Sequence, residues 1–330
     1  MNAARWLTPG LVILSILVLF LACLLGSTSM PLSRVLSALL GLSNVADQIV
    51  IWEIRLPRAL AAYVTGAALG MSGAALQGLL RNPLAEPGVL GVSATASLTA
   101  TISIYYGFAA YSAWILPASA ISGAMMATAL IALAAIRTQS VVTLILIGVG
   151  LSSFAGAMLS LLMNLAPNPF YLADMINWTL GSVANRSFED LGLAAPFIVS
   201  GIAILLFSRR GLSALTLGEE AASAVGVNLV QQRVLTVIGA GLATGGAVGL
   251  AGAIGFVGII APHIVRPLTG HDPARSLIPS ALLGGVVLVL ADIGVRILPT
   301  TNELKLGVVA SLIGAPAFVW IAMRRRTVNG

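Results

Sequence analysis

Long stretches without a formal charge constrain this chain more than any other feature. No Asp, Glu, Lys or Arg occurs in residues 6–33, 59–80, 87–136, 138–173, 191–208, 234–265, 276–291 or 306–323. A helix needs roughly 20 apolar residues to cross the hydrocarbon of a bilayer, so these runs mark the spans, and the longer ones hold two spans or a span plus a loop. A composition of 58% hydrophobic and 8% charged residues, with a mean hydropathy of +1.02, excludes a soluble globular protein, in which about a quarter of residues are charged. The chain reads as an all-α, polytopic membrane protein.

Ten spans are expected, over residues 10–29, 59–80, 89–106, 114–136, 141–165, 191–208, 229–250, 255–269, 276–296 and 306–323. The block 234–265 is the hardest to divide, because its 32 residues rise only about 48 Å as helix, too little for two full crossings and a turn. Parity divides it. With ten spans and an inside N-terminus, Arg5, Arg81, Arg137, Arg209, Arg210, Arg233, Arg266, Arg275, Arg324, Arg325 and Arg326 fall inside, whereas Arg34, Arg55, Arg58, Arg186, Arg296 and Lys305 fall outside. That asymmetry agrees with the tendency of basic residues to stay cytoplasmic. Glycines at 239, 241, 245, 246, 249, 252, 255 and 258 then imply close packing and one broken or shortened helix near 250–258. Residues 1–330 read as a single transmembrane domain with both termini cytoplasmic. The first apolar block is expected to be an uncleaved anchor, and Cys23, the only cysteine, makes no intrachain disulfide.

The longest polar interruption is 209–233, of which 209–228 is read as a cytoplasmic loop. Its middle, 217–227, suits a short helix with Glu219 and Glu220 in the first turn, where the helix dipole favours anions, and Gly226 near the stop. Such a helix can dock on a partner, or can be an ordinary connection between spans. The run 77–97 passes through Pro83 and Pro87, with Arg81 and Glu86 expected to cap a re-entry turn at the cytoplasmic face. At the outer side, Arg55 and Arg58 flank Pro57 just before the second span. Arginine forks suit carboxylates presented by a partner, and snorkelling beside a helix end is the alternative. Arg296 stands four residues after Asp292 and is expected to pair partly with it.

Other chemistries find little support. One lysine, Lys305, and no Gly-Lys-Ser/Thr loop leave no nucleotide site. An intramembrane serine protease would use Ser72, in Gly70-Met71-Ser72-Gly73, with His263 as base. An ion-coupled secondary transporter would need ionisable residues deep in its spans, and Asp292 is the one candidate carboxylate. His263, His271 and the nine methionines read as packing or surface residues rather than iron ligands. No nucleic-acid partner is expected.

Taken in order, RLPRALAA (55–62), GAALGMSGAALQGLLRNPLAEPGVLGVS (66–93), LGEEAASAVGV (217–227), GAIGFVGIIAPHIVRPLTGHD (252–272), ADIGVR (291–296) and GVVASLIGAPAFVW (307–320) resemble the FecCD permease family, the membrane subunits of type II ABC importers for ferric siderophores, haem and cobalamin. The resemblance implies ten spans, a homodimer enclosing one path in the bacterial inner membrane, two cytoplasmic ATPase subunits that use ATP and Mg2+, and a periplasmic or extracellular substrate-binding protein. The chain itself would bind no cofactor and catalyse nothing. By the same resemblance Leu217, Gly218, Glu219, Glu220, Ala221, Ala222, Ala224, Val225, Gly226 and Val227 form the ATPase-coupling segment. Arg55, Arg58 and Arg296 become outward arginines that meet acidic residues of the binding protein. The path should be lined from the helix after Glu86, the end of span two and residues 158–164. The cargo is read as an iron chelate, haem or ferric siderophore, with cobalamin as the alternative. One departure stands out: Lys305 occupies the position where the family commonly has proline, before the last span.

Overall fold

The computed structural model describes residues 2–26, 28–138, 140–298 and 303–324, and among these every regular element is helical. The helices are α1 (Asn2–Leu24), α2 (Leu32–Leu39), α3 (Val45–Gln48), α4 (Leu56–Leu79), α5 (Val92–Tyr105), α6 (Ile115–Arg137), α7 (Val141–Asn164), α8 (Pro169–Thr179), α9 (Phe188–Ala214), α10 (Glu219–Ala224), α11 (Leu229–Ala251), α12 (Val257–Val265), α13 (Pro273–Ile297) and α14 (Leu306–Arg324). Each expected span has its helix: α1, α4, α5, α6, α7, α9, α11, α12, α13 and α14. Seven of the described helical runs are long and apolar enough to cross a bilayer. The short members are the informative ones.

Small residues decide which helices take the centre. In the apolar windows of Val45–Leu79 and Leu229–Ala251, 78% of residues are buried, against 17% in α7, so α4 and α11 are core and α7 is rim. On α4, a Cβ at Gly66 or Gly70 would collide with the backbone of Gly284 or Ser280 on α13, and one at Gly73 would collide with Gly258 on α12. These helices touch backbone to backbone, which is how helices associate in lipid, where burial of apolar side chains supplies no driving force.

The expected break lies between α11 and α12. Helix α11 stops at Ala251, and Gly252 (φ 73°) and Phe256 (φ 67°) bracket a non-helical stretch. Irregular backbone at membrane depth must be covered by protein. Here Ser182 N donates to Ala251 O at 2.7 Å, and Gln77 Nε2 donates to Gly258 O at 3.3 Å just past the break. Helix α12, with 9 residues, rises about 14 Å, and α5, with 14 residues, about 21 Å. Neither reaches across a hydrocarbon layer of roughly 30 Å. The loop before α5 therefore turns back into the protein. Glu86 does not cap a surface turn as the sequence suggested: its Oε2 accepts from Phe256 N at 3.2 Å at the start of α12. A carboxylate suits that helix end because the first amides lack partners and the dipole is positive there.

Two boundaries differ from expectation and a third, at Lys305, does not. Helix α1 ends at Leu24 rather than 29. Helix α9 carries Arg209 and Arg210 as helix and runs on to Ala214, so the polar loop begins later than 209. Helix α14 starts at Leu306 directly after Lys305, whose carbonyl accepts from Val308 N (3.1 Å) and Val309 N (3.2 Å); lysine in place of proline leaves that start intact.

Charges expected on one side do collect at one end. Leu7, Thr8, Arg209, Arg210, Asp272 and Arg275 line a single hollow there, while Thr28, Arg55, Arg58, Arg296 and Glu303 line another at the opposite end. Arg325 and Arg326 lie outside the described residues, as do the side chains of Arg5 and Arg324.

Candidate functional site

At the first end, the short helix α10 packs against the ends of α9 and α11. Gly218 opens it at φ 103°, a backbone setting that favours glycine. Glu219 and Glu220 occupy the first turn. The stop is a left-handed Gly226 (φ 89°), with Val227 N donating to Ala222 O at 3.0 Å. The candidate coupling residues divide by direction. Ala222 is buried and seats the helix. Glu219 turns inward, its Oε2 2.9 Å from Nη2 of Arg233, a side chain itself only 4% exposed. Arg233 also donates to Thr138 O at 3.4 Å, so this one side chain ties α10 and α11 to the C-terminal end of α6. Leu217, Glu220, Ala224, Val225 and Gly226 face outward, and Leu217 (71% exposed) and Val225 (68%) put apolar surface on either side of the free carboxylate. Gly218, Ala221 and Val227 are half-buried beneath them.

At the second end the three candidate arginines converge, but not as free outward groups. Arg55 is buried and its Nη1 donates to Cys23 O (2.8 Å) and Leu24 O (2.9 Å), with a further bond from Nη2 to Thr28. Arg296 Nη1 donates to Ala22 O (3.0 Å) and Leu25 O (3.2 Å). The last carbonyls of a helix have no internal partners and carry its negative dipole end, so these two guanidinium groups together cap α1, and the cap stops it at Leu24. Arg58 donates to Asp292 Oδ1 from Nη2 at 2.7 Å and to Glu303 from the same guanidinium. The pair within ADIGVR is present, with Arg296 Nε 3.1 Å from Asp292 Oδ2. Asp292, 1% exposed, is thus held between two cations. Sequence reasoning missed Glu303 as a member of this cluster; its place beside the departing Lys305 was the available signal. A separate pair, Arg34 with Asp47, fastens α2 to α3.

The rival chemistries lose ground on geometry. Ser72 is fully buried and donates to Ala240 O at 3.4 Å across the α4–α11 contact, with no approach for a peptide. Asp292, the candidate ion-coupling carboxylate, is occupied by arginines.

A bundle of full and half-length helices, polar at two opposite ends, has the build of a multi-pass membrane protein. The FecCD transport family matches residues 13–324, and this chain belongs to it. Among curated relatives, the uncharacterized ABC transporter permease protein YvrB of Bacillus subtilis (strain 168) is 40% identical over 281 residues, 84% of this chain and 79% of the relative. The vitamin B12 import system permease protein BtuC of Klebsiella pneumoniae is 36% identical over 326 residues, 98% of this chain and 95% of the relative. A solved structure, an inward-facing conformation of a metal-chelate type ABC transporter, superposes with a TM-score of 0.84 at 31% identity, covering 97% of this chain and 99% of that one.

Proposed function

We propose that this chain, as a single transmembrane domain, is the permease subunit of an ATP-driven importer that takes an iron chelate from a substrate-binding protein. Two copies enclose the path in the bacterial inner membrane, and two cytoplasmic ATPase subunits use ATP and Mg2+ beneath them. Both termini are cytoplasmic. The observation that carries this reading is α10, an acidic helix tethered by Glu219–Arg233, with Leu217, Glu220 and Val225 turned outward at the end opposite the arginine cluster. A short helix with apolar flanks and one free charge suits a groove on a motor subunit. At the other end, carboxylates of a docked binding protein would compete with Asp292 and Glu303 for Arg58, so docking would loosen ties that Arg55 and Arg296 share with α1. Alternating access requires that ATP, binding protein and cargo favour different conformations by differential contact energy.

A second reading, cobalamin as cargo, is supported by the likeness to the vitamin B12 import permease of Klebsiella pneumoniae. The test is ATP-dependent uptake in proteoliposomes by permease, ATPase and binding protein together. Glu220→Arg combined with Val225→Asp should abolish ATPase assembly or uncouple hydrolysis while the permease keeps its melting temperature. Normal uptake by that variant would reject the proposal.

A further inference from the structure

Between α8 and the start of α14, at the arginine-cluster end, lies a hollow of about 490 Å³. The side chains that matter in it are Asp174, Asn177, Trp178, Asn185, Arg186 and Lys305. Asp174, Asn177 and Trp178 are spaced i, i+3 and i+4 on α8 and so share one helix face. Trp178 is only 8% exposed, yet its indole Nε1 has no hydrogen-bond partner. Arg186 lies with Cζ 5.6 Å above the Trp178 ring, and its buried Nε also lacks a partner. Asp190, the carboxylate that acts on Arg186 from a distance, is engaged as a helix cap with Ser187, accepting from its N at 2.9 Å and its Oγ at 3.0 Å. Neither Lys305 nor Asp174 forms an ion pair among the described residues.

Buried donors without acceptors are uncommon in folded proteins, and each invites an explanation. Two of them, from indole and guanidinium, belong to side chains that line one cavity together with Lys305, whose ammonium forms no ion pair among the described residues. With Asp174 on the wall, the balance is one net positive charge. That arrangement suits a group that only accepts hydrogen bonds, carries one negative charge and offers two oxygens to a planar guanidinium.

We propose that this hollow binds a carboxylate of the cargo, with Trp178, Arg186 and Lys305 as its ligands, so that the transported chelate is one bearing free carboxylates. The inference rests on the importer reading and deepens it. Cobalamin, whose side chains end in amides and whose one anionic group is a phosphodiester, lacks the group that the hollow would read.

The experiment uses the complete transporter in proteoliposomes, with haem, which carries two free propionates, against haem dimethyl ester, which differs only in their absence. For the wild type, KM for haem is expected to lie roughly tenfold or more below that for the ester, the value of one charge-assisted contact of ordinary strength. Lys305→Gln should bring that ratio close to one, and Lys305→Arg should restore it. Arg186→Gln should act in the same direction. Because Arg186 also packs on Trp178, its variant is interpreted only alongside an unchanged melting temperature, and citrate competition against haem on the unmodified transporter gives a variant-free check. A wild-type ratio near one, or a ratio that Lys305→Gln leaves unchanged, overturns the proposal. So does cyanocobalamin uptake that depends on Lys305 as haem uptake does, since the site would then read a phosphodiester. Weaker docking of the cargo-free binding protein to Lys305→Gln, with the acid-to-ester ratio intact, would assign the carboxylate to that protein and also overturns it. If no chelate and no cobalamin is taken up on ATP addition, the importer reading itself fails; ATP-driven uptake with no acid-to-ester preference sinks only this inference.

Discussion

Arg55 offers a sharp separation of structural from docking roles. Replacing it by methionine keeps the length and apolar stem but removes the donors that reach Cys23 O at 2.8 Å and Leu24 O at 2.9 Å, along with those to Thr28. Hydrogen bonds to charged groups contribute about 1.5–3 kcal/mol each, and a buried acceptor left bare costs its desolvation as well. Arg296 still reaches Ala22 and Leu25, so the cap is halved rather than lost. The expected cost is therefore about 3 kcal/mol, roughly a hundredfold in the unfolding equilibrium. The assay is reversible unfolding of the purified permease in mixed micelles, with no binding protein present. Arg55→Lys should recover only part of the loss, since one ammonium cannot reproduce a fork that spans successive carbonyls. If Arg55→Met unfolds like the wild type and loses only binding-protein affinity, the capping argument is wrong and the residue is a docking group alone.

Other outcomes follow from the same geometry. Glu219→Gln should destabilise by about 2 kcal/mol through the unpaired, buried Arg233, whereas Glu220→Gln should leave stability unchanged; thermal melts of the two variants give the comparison, and equal effects would contradict the division of α10 into a seated and a free face. Gly73→Val, which drives side-chain atoms into the Gly258 backbone, should prevent a monodisperse permease from forming, whereas Gly150→Ala, which meets nothing within 4 Å, should be neutral by gel filtration. Ser72→Ala should retain ATP-driven uptake, because its hydroxyl makes one 3.4 Å bond to a carbonyl; abolished uptake with a normal melting temperature would revive the nucleophile reading.

The number, order and approximate bounds of the spans were legible because crossing a bilayer imposes a length of uncharged sequence that few other structures share. The break near 250–258 was legible too, from glycine density and from a block too short for two crossings. The acidic helix could be placed by its dipole-favoured glutamates and a terminal glycine. All of these are local constraints, set by neighbours in sequence.

What a charged side chain does once the helices pack is not local. Arg55, Arg58 and Arg296 read as outward forks because a sequence does not reveal which carbonyls stand above them, and α1's open C-terminus, some thirty residues from Arg55 and far more from Arg296, claims two of them. Glu86 read as a surface cap, and folding carried it to the amide of Phe256, 170 residues away. Glu219 and Glu220 are adjacent and chemically alike, yet only the packing of α10 on α11 commits one to Arg233 and leaves the other free. Hydrophobic length is written residue by residue, so the sequence alone determined where the apolar helices lie along the chain. The partner of a buried charge is settled by whichever unsatisfied group the finished packing brings within 3 Å or so, and that only the tertiary structure decided.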